Sequence, residues 1–310
     1  LLIATWGINY MEFYKHQSLW TIFKQSGQRH SFKTKDDLLN WYAQSAERAN
    51  NAFGFRRALL ESSWERMERP YYNLYPAIIP MLLKLRLDIP CSSLKDISIQ
   101  PIEVRLPEAL EAPGLVWPQG RIKSLIMGIQ HVVESVDSEY LTPGLVIAFD
   151  IGEVGSNGYP ILSLKFFPLR DDMTIEEAAN LLPPHQSFDE GVPIPQETVI
   201  ALVKLCACIA LIDRDSDIIT PDILVADKAK WDGASEAARL ALLDKAKRRG
   251  KYGWNIGSGI EYTPHYRRPH PALVRVGKGR MLSRIVMRKG SVVHRGKLTS
   301  IPTGFDAEEA

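Results

Sequence analysis

The chain has 310 residues, 45 % of them hydrophobic and 24 % charged, with 38 basic and 36 acidic side chains. That length builds one large domain or two modest ones with their own cores, and the composition is that of a globular chain rather than a disordered or fibrous one. No apolar run approaches the roughly 20 residues a membrane helix requires, so neither a membrane span nor a membrane partner is expected.

Leu1 to Gly7 is apolar but has no basic region before it and no small-residue cleavage site, and is not read as a signal peptide. Aromatic-rich sequence follows from Trp6 to Phe23, with no clear period. Thr34 is placed to cap a helix over 35–50, with Asp36 and Asp37 in its first turn, where the helix dipole favours acids. Ala52 to Met67 predicts a second helix that stops before Pro70. Tyr75 to Leu87 predicts a third, kinked or split at Pro80. Residues 1–97 are thus expected to form a helical N-terminal region, and 98–310 an α+β domain with a basic C-terminal segment.

From residue 98 the pattern changes to short segments punctuated by prolines. Three strands are predicted, over Ile122 to Val133, Leu145 to Ile151 and Ile161 to Leu169, the last with clear alternation. Gly155-Ser156-Asn157-Gly158 reads as a hairpin turn that pairs the second and third strands antiparallel. Thr174 caps a helix that carries Glu176 and Glu177 and ends at Pro183-Pro184. Pro195 then opens a helix that is apolar nearly all round from Val199 to Leu211, the expected buried central helix. Ser235 to Arg249 predicts a further helix closed by Gly250. Strand-like sequence follows at Val274 to Val276 and Leu282 to Arg288. The fold class expected is α+β: a helical N-terminal part, a central mixed or antiparallel sheet with a buried helix, and a basic C-terminal β region.

Motifs for catalysis and cofactors are tested in turn. Three cysteines are too few for a disulfide framework, and Cys206 and Cys208 lie on different sides of an apolar helix, so buried thiols are expected rather than a metal site. Asp213, Asp215 and Asp217 open like a calcium loop, but Ile218 and Leu224 stand where its glycine and glutamate belong. The glycines match neither dinucleotide nor Walker patterns, and no cofactor is expected. Gly277-Lys278-Gly279-Arg280 fits either a phosphate-holding loop or a tight turn between strands. Asp150 and Glu153 at a strand end have no histidine near them in sequence to complete an acid–base site.

Charge is distributed very unevenly. Residues 245–300 hold fifteen Lys or Arg and one acid, Glu261, while the other 254 residues hold 23 basic and 35 acidic side chains. Such asymmetry points to a polyanionic partner, nucleic acid first and a membrane surface second, and of the two the nucleic acid is the partner expected. At its centre, Pro264, Pro269 and Pro271 hold the backbone extended and exclude a helix. His265, Tyr266, Arg267, Arg268 and His270 are then displayed on a stiff segment. Arginine forks bind phosphate and Tyr or His rings stack on unpaired bases, which suits single-stranded RNA. Lys278, Arg280, Arg284 and Arg288 extend the same candidate nucleic-acid-binding set. Two alternatives stand beside it. His265 and His270 could act as acid and base in a metal-independent ribonuclease, or Arg267 and Arg268 could pair with acids of the body.

Pro264 to His270, followed by the Gly-Lys-Gly turn and a strand ending in Val292-Val293, resembles the C-terminal signature of a phage family, that of the second type V-A anti-CRISPR inhibitor. Asp150-Ile151-Gly152 and the apolar helix from Thr198 to Ile212 are similar in arrangement. The likeness is loose over 100–295 and specific only over 262–293. After the arginine pair the family commonly has Gly and then His-Trp, where this chain has Pro269-His270-Pro271. The resemblance implies a cytoplasmic phage or mobile-element inhibitor acting in the host cell on production of a CRISPR effector nuclease. It would recognise the nascent effector polypeptide and lead to loss of its mRNA. The partners expected are therefore RNA or a ribonucleoprotein, and a nascent polypeptide or the effector protein. A non-catalytic virion or replication accessory protein is the remaining alternative.

Overall fold

Seven α-helices and a mixed seven-stranded sheet make up the α+β fold of the described residues. The computed structural model describes residues 12–25, 32–48, 51–95, 100–110, 112, 114–133, 141–154, 160–186, 192–212, 218–223, 233–248, 252–258, 270–276 and 282–288. The Gly155–Gly158 turn, the Asp213–Asp217 run, Gly250 and the Gly277–Arg280 loop lie outside them.

The N-terminal part contributes α1 (Leu19–Gln25), α2 (Lys35–Arg48) and α3 (Ala52–Arg66). The entry to α2 is fixed reciprocally, as the Asp37 amide donates to the Thr34 hydroxyl at 3.1 Å and the Thr34 amide to the Asp37 carboxylate at 3.0 Å. Asn51 caps α3 by accepting from the Gly54 amide at 2.9 Å. Each cap satisfies an amide that the helix itself leaves without a partner. Immediately after Pro70 comes β1 (Tyr71–Leu74), a strand the sequence pattern did not announce. The helix expected over 75–87 is only the five-residue α4 (Ile79–Leu83), with Pro80 in its first turn, where a missing N–H costs nothing.

Next come β2 (Ile102–Arg105), the two-residue pair β3 (Val116–Trp117) and β4 (Gly120–Arg121), and the long strands β5 (Ser124–Val133), β6 (Leu141–Val154) and β7 (Pro160–Pro168). As expected of the second and third predicted strands, β6 and β7 pair antiparallel. Thr174 and Glu177 form a capping box at α5 (Ile175–Asn180). The short pair β8 (His185–Gln186) and β9 (Pro193–Ile194) leads into α6 (Gln196–Leu211), with Pro195 at its N-cap. The chain then forms β10 (Ile219–Ile223), α7 (Glu236–Arg248) and β11 (Tyr252–Ile256). It closes with the antiparallel hairpin of β12 (His270–Val276) and β13 (Leu282–Arg288).

The sheet runs β10-β11-β1-β2-β5-β6-β7. β1 lies parallel to both of its neighbours, and the remaining pairs are antiparallel. One face carries Trp254, Ile256, Leu74, Val104, Leu125, Met127, Ile147 and Phe149 into the main core, where α6 packs with Val199, Leu202, Cys206, Ile209 and other side chains. Eleven of the sixteen residues of α6 are buried, so it is the central helix the apolar run predicts. A pocket of about 150 Å³ remains between the end of α6 and this face, lined by Tyr72, Gln100, Ile102, Met127, Ile209 and Trp254 among others. On the opposite face α3 covers β5–β7 through Leu60 and Trp64, packed on Ile126, Val146, Ala148 and Leu164. No described helix is long and apolar enough to cross a membrane.

Candidate functional site

His265, Tyr266, Arg267, Arg268, Lys278 and Arg280 lie outside the described residues. Three members of the basic set fall within the terminal hairpin. Strand β13 turns Ser283 and Ile285 inward and leaves Leu282 and Arg288 exposed, with Arg284 half-buried. Its inward edge is pinned by a bridge between Ile285 and Ile212, the residue that follows α6. The register sets His270 opposite Arg288 and Val274 opposite Arg284, so these positions share the outer face of the hairpin. The Arg284 guanidinium donates to the Ser283 carbonyl at 3.0 Å, which ties the side chain to its own strand.

A second polar constellation lies on the sheet face away from α6, spread over four strands. It begins at β11, where Gly253 stands between Tyr71 of β1 and Asp222 of β10 in register. A β-carbon at 253 would lie 2.5 Å from the Tyr71 ring, so only glycine lets that ring lie across β11. The Tyr71 hydroxyl thereby reaches Asp222 Oδ2 at 2.9 Å. One residue pair further along, Asn73 Nδ2 donates to the same Oδ2 at 2.7 Å and to Asn255 Oδ1 at 3.0 Å. Burial, and then the charge and hydrogen bond of Asp222, push the Tyr71 phenol far above its ordinary range. Burial and the Asp222 charge also raise Tyr75. Both phenols stay protonated at any physiological pH.

On β2 the row continues. Arg105 lies over the Tyr71 ring with its central carbon 3.5 Å from the ring centre, a cation–π contact. It grips Glu103 with two bonds of 2.9 Å. Residues 12–18 cross this end of the sheet. The Tyr14 amide donates to the Leu106 carbonyl at 2.9 Å and the His16 amide to Glu103 Oε1 at 2.7 Å. The Leu19 amide then donates to Glu61 Oε2 at 2.7 Å, while Arg57 donates to the other oxygen at 3.1 Å. Burial pushes the Glu61 carboxyl up, but Arg57, His16 and the Leu19 amide outweigh it and hold the group below its ordinary range. The imidazole of His16 is fully buried, 3.7 Å from Glu61. The Glu103–Arg105 pair thus anchors the N-terminal segment to the sheet, and the Glu61–Arg57 pair anchors it to α3.

This constellation was not read from the sequence. Its members are 34 to 182 residues apart where they touch across strands. The one local signal was Tyr71-Tyr72-Asn73-Leu74, whose alternation is too short to be separated from a loop. Elsewhere, Asp150 is buried on β6, and nothing is described of the Glu153 side chain. Cys206 and Cys208 are buried thiols, pushed up by burial, Cys208 to about 12. No group of three or more His, Cys, Asp or Glu among the described residues could hold a metal ion.

No protein-family model matches the chain, and no curated protein matches it. Among solved structures, the chain is similar to one titled "Crystal structure of AcrVA2", at 15 % sequence identity over 83 % of each chain, with a TM-score of 0.46. The name in that title is that of the family the C-terminal signature resembles. A likeness of this degree assigns no residue a role.

Proposed function

We propose that this chain is an anti-CRISPR-like binding protein of phage or mobile-element origin, acting in the host cytoplasm. Its basic segment contacts RNA and its acidic body contacts a polypeptide. The observation that carries this reading is the excess of fifteen basic residues over one acid within 245–300, set against a body of opposite sign. An RNA backbone is the polyanion such a segment best complements, and alternating aromatic and basic side chains add stacking to charge. The signature at Pro264 to His270 supplies the polypeptide half: the emerging chain of a CRISPR effector, whose message is bound or lost as a result.

The RNA half is tested by salt. About five phosphate contacts by residues of the set His265, Tyr266, Arg267, Arg268, His270, Lys278, Arg280, Arg284 and Arg288 give a log–log slope of affinity on salt near −3.5, at roughly −0.7 per contact on single strands. Replacing Arg267 and Arg268 by alanine should flatten that slope by one to two contacts' worth and weaken all RNA sequences alike. RNA recovered shortened would instead indicate the ribonuclease built on His265 and His270. Absent or salt-insensitive binding, with the double variant unfolded, would make the arginine pair structural. The polypeptide half is tested by co-expression with a type V-A effector, whose protein and message levels should both fall.

A further inference from the structure

Among the described residues, Asp222 is the carboxylate of the polar row that has no cationic partner. Glu103 has Arg105 at 2.9 Å and Glu61 has Arg57 at 3.1 Å, whereas no ion pair forms at Asp222 among the described residues. Its two hydrogen bonds come from a phenol and an amide, both neutral, and both end on Oδ2. The second oxygen has no hydrogen bond among the described residues, and the residue is half-buried rather than fully hydrated. A carboxylate held in place but left without counter-charge keeps its attraction for positive charge, strengthened by partial exclusion of water.

A second observation, independent of the charge, has the same direction. Asn73 is only 7 % exposed, and while its amide nitrogen serves Asp222 and Asn255, its amide oxygen is buried without a partner. A buried acceptor left unmade costs about 1–3 kcal/mol, and a donor brought by a ligand would remove that cost. Half-buried Asn255 and Tyr75 stand beside it, Tyr75 edge-on to Phe13 with ring centres 5.3 Å apart. Arg105 does not fill the need, because both of its hydrogen bonds go to Glu103.

We propose that this end of the row, formed by Asp222, Asn73, Asn255 and Tyr75, is a recognition site for an organic cation rich in N–H donors, the lysine or arginine side chain of a polypeptide partner. Ammonium offers three donors and guanidinium five, and both bind carboxylates and aromatic faces together. An anionic group is repelled here, and an aliphatic one would cover the carboxylate without replacing its water. The site extends the polypeptide half of the reading above and is independent of the RNA half.

The test is a titration of the full chain with Nα-acetyl-lysine amide, Nα-acetyl-arginine amide and Nα-acetyl-norleucine amide, followed by the side-chain amide NMR signals of Asn73 and Asn255. Lysine or arginine probe should shift both signals saturably, and norleucine should not; the tighter of the two identifies the source of the cation. Asp222→Asn, which preserves shape, should weaken binding at least tenfold. Equal shifts with norleucine, no shift with any probe, or unchanged affinity in a folded Asp222→Asn protein would overturn the site. Should that variant fail to fold, the comparison of lysine with norleucine on the unaltered chain still decides. Loss of co-expression activity with intact probe binding would overturn the effector reading and leave this site standing.

Discussion

Glu61 shows how a single buried charge is made tolerable. Taken out of water alone, a carboxylate would neutralise itself by binding a proton. Here one oxygen faces Arg57 and the other the Leu19 amide, so the ionised form is the stable one. Because its folded pKa lies below the unfolded value of roughly 4.3, Glu61 stabilises the fold above that value. This stabilisation is lost as pH falls through the folded pKa. Thermal melts of the unaltered chain should therefore fall more steeply below about pH 4 than those of Glu61→Gln. At neutral pH the substitution should cost about 3–5 kcal/mol, since it leaves Arg57 buried beside a neutral group. Parallel melting profiles for the two proteins would place the acid sensitivity elsewhere.

At the scale of elements, α6 is the strongest test of packing. Cys206 is 0 % exposed and sits among side chains apolar on every side. Cys206→Asp should cost several kcal/mol as an unpaired charge in the core, and give insoluble or unfolded protein on expression. A soluble variant that melts like the unaltered chain would refute the placement. The helix was legible because its signal is local: a run from Val199 to Leu211, apolar but for Lys204, shortly after Pro195. The caps at Thr34 and Thr174 were legible for the same reason, a polar residue three positions before an acid. Strand β1 was not. Four residues following a proline give no period to read, and two of them, Tyr71 and Asn73, face a polar layer instead of a core. Alternation rules presume one apolar face and one wet face, and this sheet breaks that presumption over β10, β11, β1 and β2. The basic set was visible as composition, since charge can be counted without knowing the fold. The Asp222 row could not be counted in that way, because only the register of four strands assembles it.

For the whole molecule, the outermost strands of the large sheet are β10 and β7, and both contain proline: Pro221 in the middle of β10, Pro160 and Pro168 at the two ends of β7. Proline lacks the N–H a neighbouring strand would accept from, and it is tolerated in sheets mainly at such edges. A chain that templated others edge to edge would meet a missing donor at either margin. Polymerisation into cross-β fibrils is thereby opposed at both margins, even though β5 and β6 are long and largely apolar. Pro221→Thr restores that donor on a five-residue edge, and on prolonged incubation should shorten the lag before thioflavin-positive fibrils form. An unchanged lag would mean that the margin is protected by something other than this proline. A partner strand seeking either margin of this sheet would meet a proline on it.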